Sequence, residues 1–75
     1  MPEYCINRNQ QSNGDYEVHD LTPGNCNHLP NLENRIGLGA FSDCKGAVRE
    51  AKRRFPDNSN KINGCYYCSR PCHTS

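Results

Sequence analysis

The residues best suited to chemistry lie near the C-terminal end of the chain, where three cysteines and a histidine fall within nine positions: Cys65, Cys68, Cys72 and His73. Two residues separate Cys65 from Cys68, and at this spacing a tight turn can bring both thiolates onto one tetrahedral ion. Such a pair is half of a structural zinc site, because closed sites hold four ligands. The sequence therefore predicts a metal site whose remaining ligands come from other segments.

The composition supports a domain that needs such a site. The chain has 75 residues, of which 33% are hydrophobic, and it contains six cysteines and no tryptophan. Burial of so few apolar side chains barely offsets the conformational entropy lost on folding. We therefore expect one small domain, spanning residues 1–75, that is held together by a metal ion or by disulfides.

The cellular compartment determines whether a metal ion or disulfides are the expected cross-link. Residues 1–8 have neither the basic nor the apolar region of a signal peptide, and no apolar run is long enough to span a membrane. If the chain is the whole product, it is predicted to be cytoplasmic, where cysteines at metal spacing are more often ligands than bridges. A disulfide-stapled secreted peptide is the alternative.

Alternation of apolar and polar residues predicts three short strands, at residues 3–9, 16–20 and 35–41. Asn13-Gly14 predicts a hairpin turn between the first two strands. Ser42 is the expected N-cap of a single helix, which Pro56 ends. We therefore predict an α+β fold, with a short antiparallel sheet of about three strands and one α-helix.

The predicted helix buries one stripe of side chains, at Cys44, Ala47, Val48, Ala51 and Phe55. On this pattern Cys44 is a small buried residue, and we expect a similar structural role for Cys5 in the first strand.

Residues 21–34 show no periodicity and are predicted to be a loop, and a loop this long needs a tether. Cys26, at its centre, is the preferred metal ligand outside the C-terminal cluster. His19 lies near the end of the preceding strand, with its side chain on the face opposite Tyr16 and Val18. His28 is expected to be a solvated loop residue.

The predicted ligands are thus His19, Cys26, Cys65, Cys68 and Cys72. Because Cys72 and His73 are adjacent, their side chains diverge, and we expect only one of the two to bind. The fourth ligand stays open among His19, Cys72 and His73.

Several short motifs are spaced along residues 16–75: Glu17-Val18-His19, Cys26, Leu29-Pro30, Asn34-Arg35-Ile36, Leu38-Gly39-x-Phe41-x-x-Cys44-x-x-Ala47, Asn63-Gly64-Cys65-Tyr66-Tyr67-Cys68 and Cys72-His73-Thr74-Ser75. In these motifs the chain resembles a family of small uncharacterised bacterial zinc-binding proteins.

More remotely, the chain is similar to the zinc modules related to the N-terminal domain of the Ada DNA-repair protein. That resemblance implies a zinc ion held by His19, Cys26, Cys65 and Cys68. The gap between the first two ligands is longer here than in those modules. The added Cys72-His73 is a further departure, which again leaves the fourth ligand between His19 and the tail.

Three functions are consistent with these patterns. The preferred one is a binding or structural module without enzymatic activity, because the chain has no phosphate-binding loop and no hydrolase motif. The second is thiol redox or methyl-transfer chemistry at the Cys65/Cys68 pair. The third is the disulfide-stapled peptide.

Nucleic acid is the most concrete target for a binding module. The predicted contacts are a basic helix face, Arg70 and the aromatic pair Tyr66-Tyr67, where the helix face consists of Lys45, Arg49, Lys52 and Arg53. The net charge of +1 creates no strong field, so an ordinary solvated helix face is the simpler interpretation. We expect a monomer with no membrane partner.

Overall fold

One four-stranded sheet and one α-helix form the regular structure of residues 1–73, the part of the chain that the computed structural model describes. The strands are β1 (Glu3–Asn7), β2 (Tyr16–Asp20), β3 (Arg35–Ala40) and β4 (Ile62–Gly64), and the helix is α1 (Cys44–Arg54). This architecture confirms the predicted α+β class. Thr74 and Ser75, which end the predicted domain and the family motif, lie outside the described residues.

The hairpin β1–β2 forms the middle of the sheet. Its strands are antiparallel and place Cys5 opposite His19 and Ile6 opposite Val18. The predicted Asn-Gly turn is present, with Gly14 at a φ of 92°, a backbone conformation that favours glycine. The turn also orders Asp15, whose backbone N–H donates to the side-chain oxygen of Asn13 at 3.0 Å.

The outer strands complete the order β3-β1-β2-β4. β3 is antiparallel to β1, whereas β4 is parallel to β2. The prediction of an antiparallel sheet of about three strands therefore missed β4 and its parallel pairing. Three residues are too few to show a period of two, and their pairing depends on a strand far away in sequence.

The two faces of the sheet carry different side chains, and α1 packs against one of them. Tyr4, Ile6 and Val18 belong to the apolar core, against which α1 packs through Ala47 and Ala51. Strand alternation places Cys5, Glu17 and His19 on the opposite face.

The helix begins one residue later than predicted. Asp43 is the N-cap, and its Oδ1 accepts hydrogen bonds from the backbone N–H groups of Lys45 at 3.0 Å and Gly46 at 3.4 Å. Ser42 was the wrong choice for this position, because both residues can cap but only Asp43 lies at the required register. Cys44, Ala47 and Ala51 are buried, as the stripe predicted.

The chain after β4 turns sharply and returns to the helix. The Ser69 N–H donates to the Cys65 carbonyl at 2.8 Å, which closes the turn. A short 3-10 helix, Arg70–Cys72, then brings Cys72 to Cys44, and the two form a disulfide with Cα atoms 6.3 Å apart. Cys44 is therefore buried, as predicted, but it is not a free thiol. Within residues 1–73, no helix is long and apolar enough to cross a membrane.

Candidate metal centre

Three segments of the chain bring four potential metal ligands together. β2 contributes His19, the loop after it contributes Cys26, and the turn after β4 contributes Cys65 and Cys68. Their ligand atoms all lie within 4.8 Å of one another. The first three side chains are buried and Cys68 is half-buried, so this cluster could hold a metal ion.

Three of the six distances within the cluster match those of a tetrahedral site. His19 Nδ1 lies 3.7 Å from the sulfurs of both Cys26 and Cys68, and the Cys26 and Cys65 sulfurs are 3.9 Å apart. Bond lengths of about 2.3 Å for Zn–S and about 2.0 Å for Zn–N give tetrahedral edges of about 3.8 Å between sulfurs and about 3.5 Å between sulfur and nitrogen. The cluster is therefore already close to the size that one such ion requires.

The parallel pairing of β2 with β4 sets the position of Cys65. Val18 lies opposite Gly64, and the Cys65 N–H donates to the Val18 carbonyl at 2.9 Å. This hydrogen bond places Cys65 beside His19, the residue that follows Val18. The missed strand is thus the element that aligns the Cys65 turn with the histidine.

Asp20 links the loop that carries Cys26 to the rest of the site. Its carboxylate accepts from the Thr22 N–H at 2.8 Å and from the Asn25 side chain at 3.0 Å. Its own backbone N–H donates to the Cys68 sulfur at 3.4 Å. Asp20 therefore holds both the loop and the C-terminal turn against the end of β2.

The His19 ring lies between the sulfurs and a carboxylate. Its Nδ1 faces Cys26 and Cys68, while its Nε2 lies 3.8 Å from Oε1 of Glu17. At 3.8 Å this contact is longer than a hydrogen bond, but a carboxylate beside Nε2 favours the tautomer that carries its proton on that nitrogen. In this arrangement Nδ1 is the nitrogen available to a metal.

Burial sets the charges of the cluster. It lowers the pKa of His19 to about 4, and the charge of Arg35 acts in the same direction, so the imidazole is neutral at pH 7. Burial also raises the pKa of the Cys65 and Cys68 thiols. A metal ion would therefore bind a neutral imidazole directly but would displace protons from these two thiols.

The structure separates the predicted tail ligands from this cluster. The Cys72 sulfur is bonded to Cys44, and the His73 Nδ1–H donates to the Gly64 carbonyl at 3.0 Å. His19, Cys26, Cys65 and Cys68 are the predicted residues that lie together, and Cys72 is not among them. The prediction that Cys72 is a ligand was based on its proximity to Cys68 in sequence. It was wrong because the 3-10 helix places Cys72 against α1.

Cys5 lies beside the cluster without joining it. It is fully buried and unpaired, and burial raises the pKa of its thiol to about 11. Its position opposite His19 follows from the hairpin register.

Sequence reasoning also missed the residues around the cluster. Glu17 stands two residues before His19, a spacing that places both side chains on one face of a strand, so its role was accessible from the sequence. Asp20 and Arg35 gave no comparable signal. The Arg35 Nε donates to the Pro30 carbonyl at 2.8 Å and so anchors the far end of the loop.

The predicted basic helix face is partly neutralised. The Glu50 carboxylate pairs with Arg53 at 2.7 Å and with Arg54 at 2.6 Å. Lys45 and Lys52 remain exposed.

No protein-family model, curated protein or solved structure matched this chain. The function must therefore be inferred from the site itself.

Proposed function

We propose that this chain is a small zinc-binding domain in which one structural ion joins β2, the loop after it and the C-terminal turn. The observation that carries the proposal is the buried group His19, Cys26, Cys65 and Cys68, whose ligand atoms lie within 4.8 Å of one another. Neutral imidazole and thiolates in tetrahedral arrangement favour zinc among the common metals.

The role of the ion is structural because the protein supplies all four ligands. A catalytic zinc keeps one position open for water or substrate. Four ligands leave no such position, so we propose a binding module without enzymatic activity. Binding can contribute on the order of 10 kcal/mol to folding, which is comparable to the whole stability of a small domain.

The loop is the segment that most needs the ion. Cys26 is buried, whereas its neighbours from Thr22 to His28 are exposed. Without a bond at Cys26, these residues have little apolar burial to offset the entropy of ordering them. The ion would therefore convert a mobile loop into part of the fold.

A cytoplasmic location fits this proposal, because reducing conditions keep the four ligands available. The Cys44–Cys72 disulfide shares no residue with the cluster. The metal can therefore bind whether this pair is oxidised or reduced.

Thiol exchange is the weaker alternative. Redox Cys-x-x-Cys pairs use an exposed thiolate of lowered pKa. Cys65 is 1% exposed, and burial raises the pKa of its thiol. The described chain forms a turn rather than a helix after Cys65, so no helix dipole stabilises the thiolate.

Native mass spectrometry tests the proposal, combined with thiol counting before and after treatment with a chelator. We expect one zinc ion per chain, lost with the chelator together with the cooperative unfolding transition. Cys26→Ser should lose the ion, whereas Cys5→Ala, which changes a neighbouring buried cysteine outside the cluster, should retain it. Metal-free, folded protein with a Cys26–Cys65 disulfide would refute the proposal.

A further inference from the structure

An aromatic and cationic surface lies on the outside of the candidate metal centre. We call it the knuckle platform, and it consists of His28, Tyr66, Tyr67, Arg70 and His73. His28 comes from the loop that carries Cys26, and the two tyrosines come from the turn that carries Cys65 and Cys68. Arg70 and His73 come from the 3-10 helix after that turn and from its C-cap.

The rings of the platform contact one another in an ordered way. The His28 ring stacks on Tyr67, with centroids 3.9 Å apart and planes 20° apart. Tyr66 meets Tyr67 edge-on at 5.3 Å and meets His73 edge-on at 5.4 Å. The contact between His28 and Tyr67 joins two segments that are distant in sequence.

The tyrosines remain open to solvent despite these contacts. Tyr67 is 63% exposed and Tyr66 is 43% exposed, so neither serves the core. Because these two rings stay exposed, they bury little apolar surface and contribute little to the stability of the domain. His28 covers one face of Tyr67 and Arg70 lies over one face of Tyr66, so a flat ligand would stack on the opposite faces of these rings.

The charge on the platform is positive. The Arg70 guanidinium carbon lies 4.7 Å from the centre of the Tyr66 ring. Among residues 1–73, no carboxylate forms an ion pair with Arg70, and the platform contains no acidic residue. A partner that combines planar rings with negative charge would satisfy both features.

We propose that the knuckle platform binds single-stranded nucleic acid. Unpaired bases stack on the Tyr66 and Tyr67 rings, and a phosphate lies against Arg70, which is the usual combination in proteins that bind single strands. An acidic peptide would use the arginine but leave the ring faces uncovered. Duplex would hide the base faces from the rings.

The inference rests on the proposed function, because the candidate ion fixes the platform. Tyr66 and Tyr67 are the two residues between Cys65 and Cys68, and His28 lies two residues after Cys26. One ion bound to these cysteines holds both sides of the His28–Tyr67 stack in place.

The test is fluorescence anisotropy of labelled single-stranded oligothymidine, oligouridine and a DNA duplex, titrated with zinc-loaded protein at several salt concentrations. We expect both single strands to bind more tightly than the duplex, and binding to weaken as salt rises. The ratio between the two strands assigns DNA or RNA as the preferred form.

Variants separate stacking from simple charge attraction. Tyr67→Ala should weaken single-strand binding by about tenfold or more, while Tyr67→Phe, which keeps the ring, should bind like the parent. Lys61→Ala removes an exposed cation that lies outside both the platform and the basic helix face; it is the matched control and should change binding little. Metal content is measured for every variant, so that loss of the ion is not mistaken for loss of stacking.

The outcomes distinguish the two proposals. Protein that holds zinc but does not bind single strands, or a zinc-loaded Tyr67→Ala variant that binds them unchanged, overturns the platform and leaves the zinc domain standing. Tyr67-dependent binding by protein that never holds a metal would instead overturn the zinc domain and its coupling to the platform.

Discussion

The Nε2 atom of His19 lies 3.8 Å from Oε1 of Glu17, on the far side of the ring from the nitrogen that faces the cysteine sulfurs. Both residues belong to β2 and are separated by one position, so strand alternation alone places them on the same face. Glu17 is also buried. The arrangement places a buried carboxylate beside the outer nitrogen of a candidate metal ligand.

Glu17→Gln tests this orientation. The amide keeps the shape of the side chain but removes the negative charge beside Nε2, so we expect zinc affinity to fall by about 10- to 100-fold while the fold is retained. Competition with a chromophoric chelator measures the affinity. Glu3→Gln, at an exposed position on β1, is the control, and equal affinities of the two variants would remove the role assigned to Glu17.

The Cys44–Cys72 disulfide should stabilise the domain without contributing to the metal site. The two cysteines are 28 residues apart, and closing a loop of this length is worth about 2–4 kcal/mol. We expect the double variant Cys44→Ala/Cys72→Ala to lose about that much stability in chemical denaturation of oxidised protein, and still to bind one zinc ion. If this double variant bound no zinc, Cys72 would have to be considered a metal ligand again.

Part of this arrangement could be predicted from the sequence because the signals are local. The period of α1, the Asn13-Gly14 turn and the Cys65-x-x-Cys68 spacing each depend on residues close together in the chain. The pairing of Cys72 with Cys44 does not. It depends on how the tail crosses the domain after β4, and no pattern near Cys72 encodes that path.

The candidate ligands also divide into those that local sequence predicts and those that depend on contacts between distant segments. Cys65 and Cys68 followed from spacing, and Cys26 followed from its position at the centre of a long loop without periodicity. His19 could not be separated from Cys72 or His73 by sequence, because the parallel alignment of β2 with β4 decides which residue lies beside Cys65.

Gly64→Ala should disturb the tail that the cluster depends on. A Cβ atom at this position would lie 2.5 Å from the Ser69 carbonyl oxygen and 2.7 Å from Cys72 Cβ, so the backbone of the turn must move. We expect a loss of about 1–3 kcal/mol in the free energy of unfolding, together with weaker zinc binding.

Gly37→Ala is the matched control for that change. Gly37 lies on β3, and a Cβ there meets nothing within 4 Å. Thermal and denaturant unfolding are measured for both variants. For Gly37→Ala we expect the free energy of unfolding to change by no more than about 0.5 kcal/mol. Equal effects would mean that the close approach at Gly64 does not constrain the tail.

Zinc binding at pH 7 should release protons from the thiols and none from the histidine. Burial raises the pKa of Cys65 and Cys68, so both are protonated before metal binds, whereas the lowered pKa of His19, about 4, leaves its ring neutral. For each proton released, the apparent affinity for zinc increases about tenfold per pH unit. Zinc affinity must therefore rise with pH. Calorimetry in buffers of different ionisation enthalpy counts the protons, and a count of zero would contradict this description of the site.

X-ray absorption at the zinc edge of the purified protein tests the central claim most directly. A site formed by His19, Cys26, Cys65 and Cys68 predicts a first shell of three sulfurs at about 2.3 Å and one imidazole nitrogen at about 2.0 Å. His19→Ala should lose the imidazole signal and keep the sulfur signal. A shell of four sulfurs, a shell of oxygen and nitrogen alone, or protein that holds no zinc would contradict the claim.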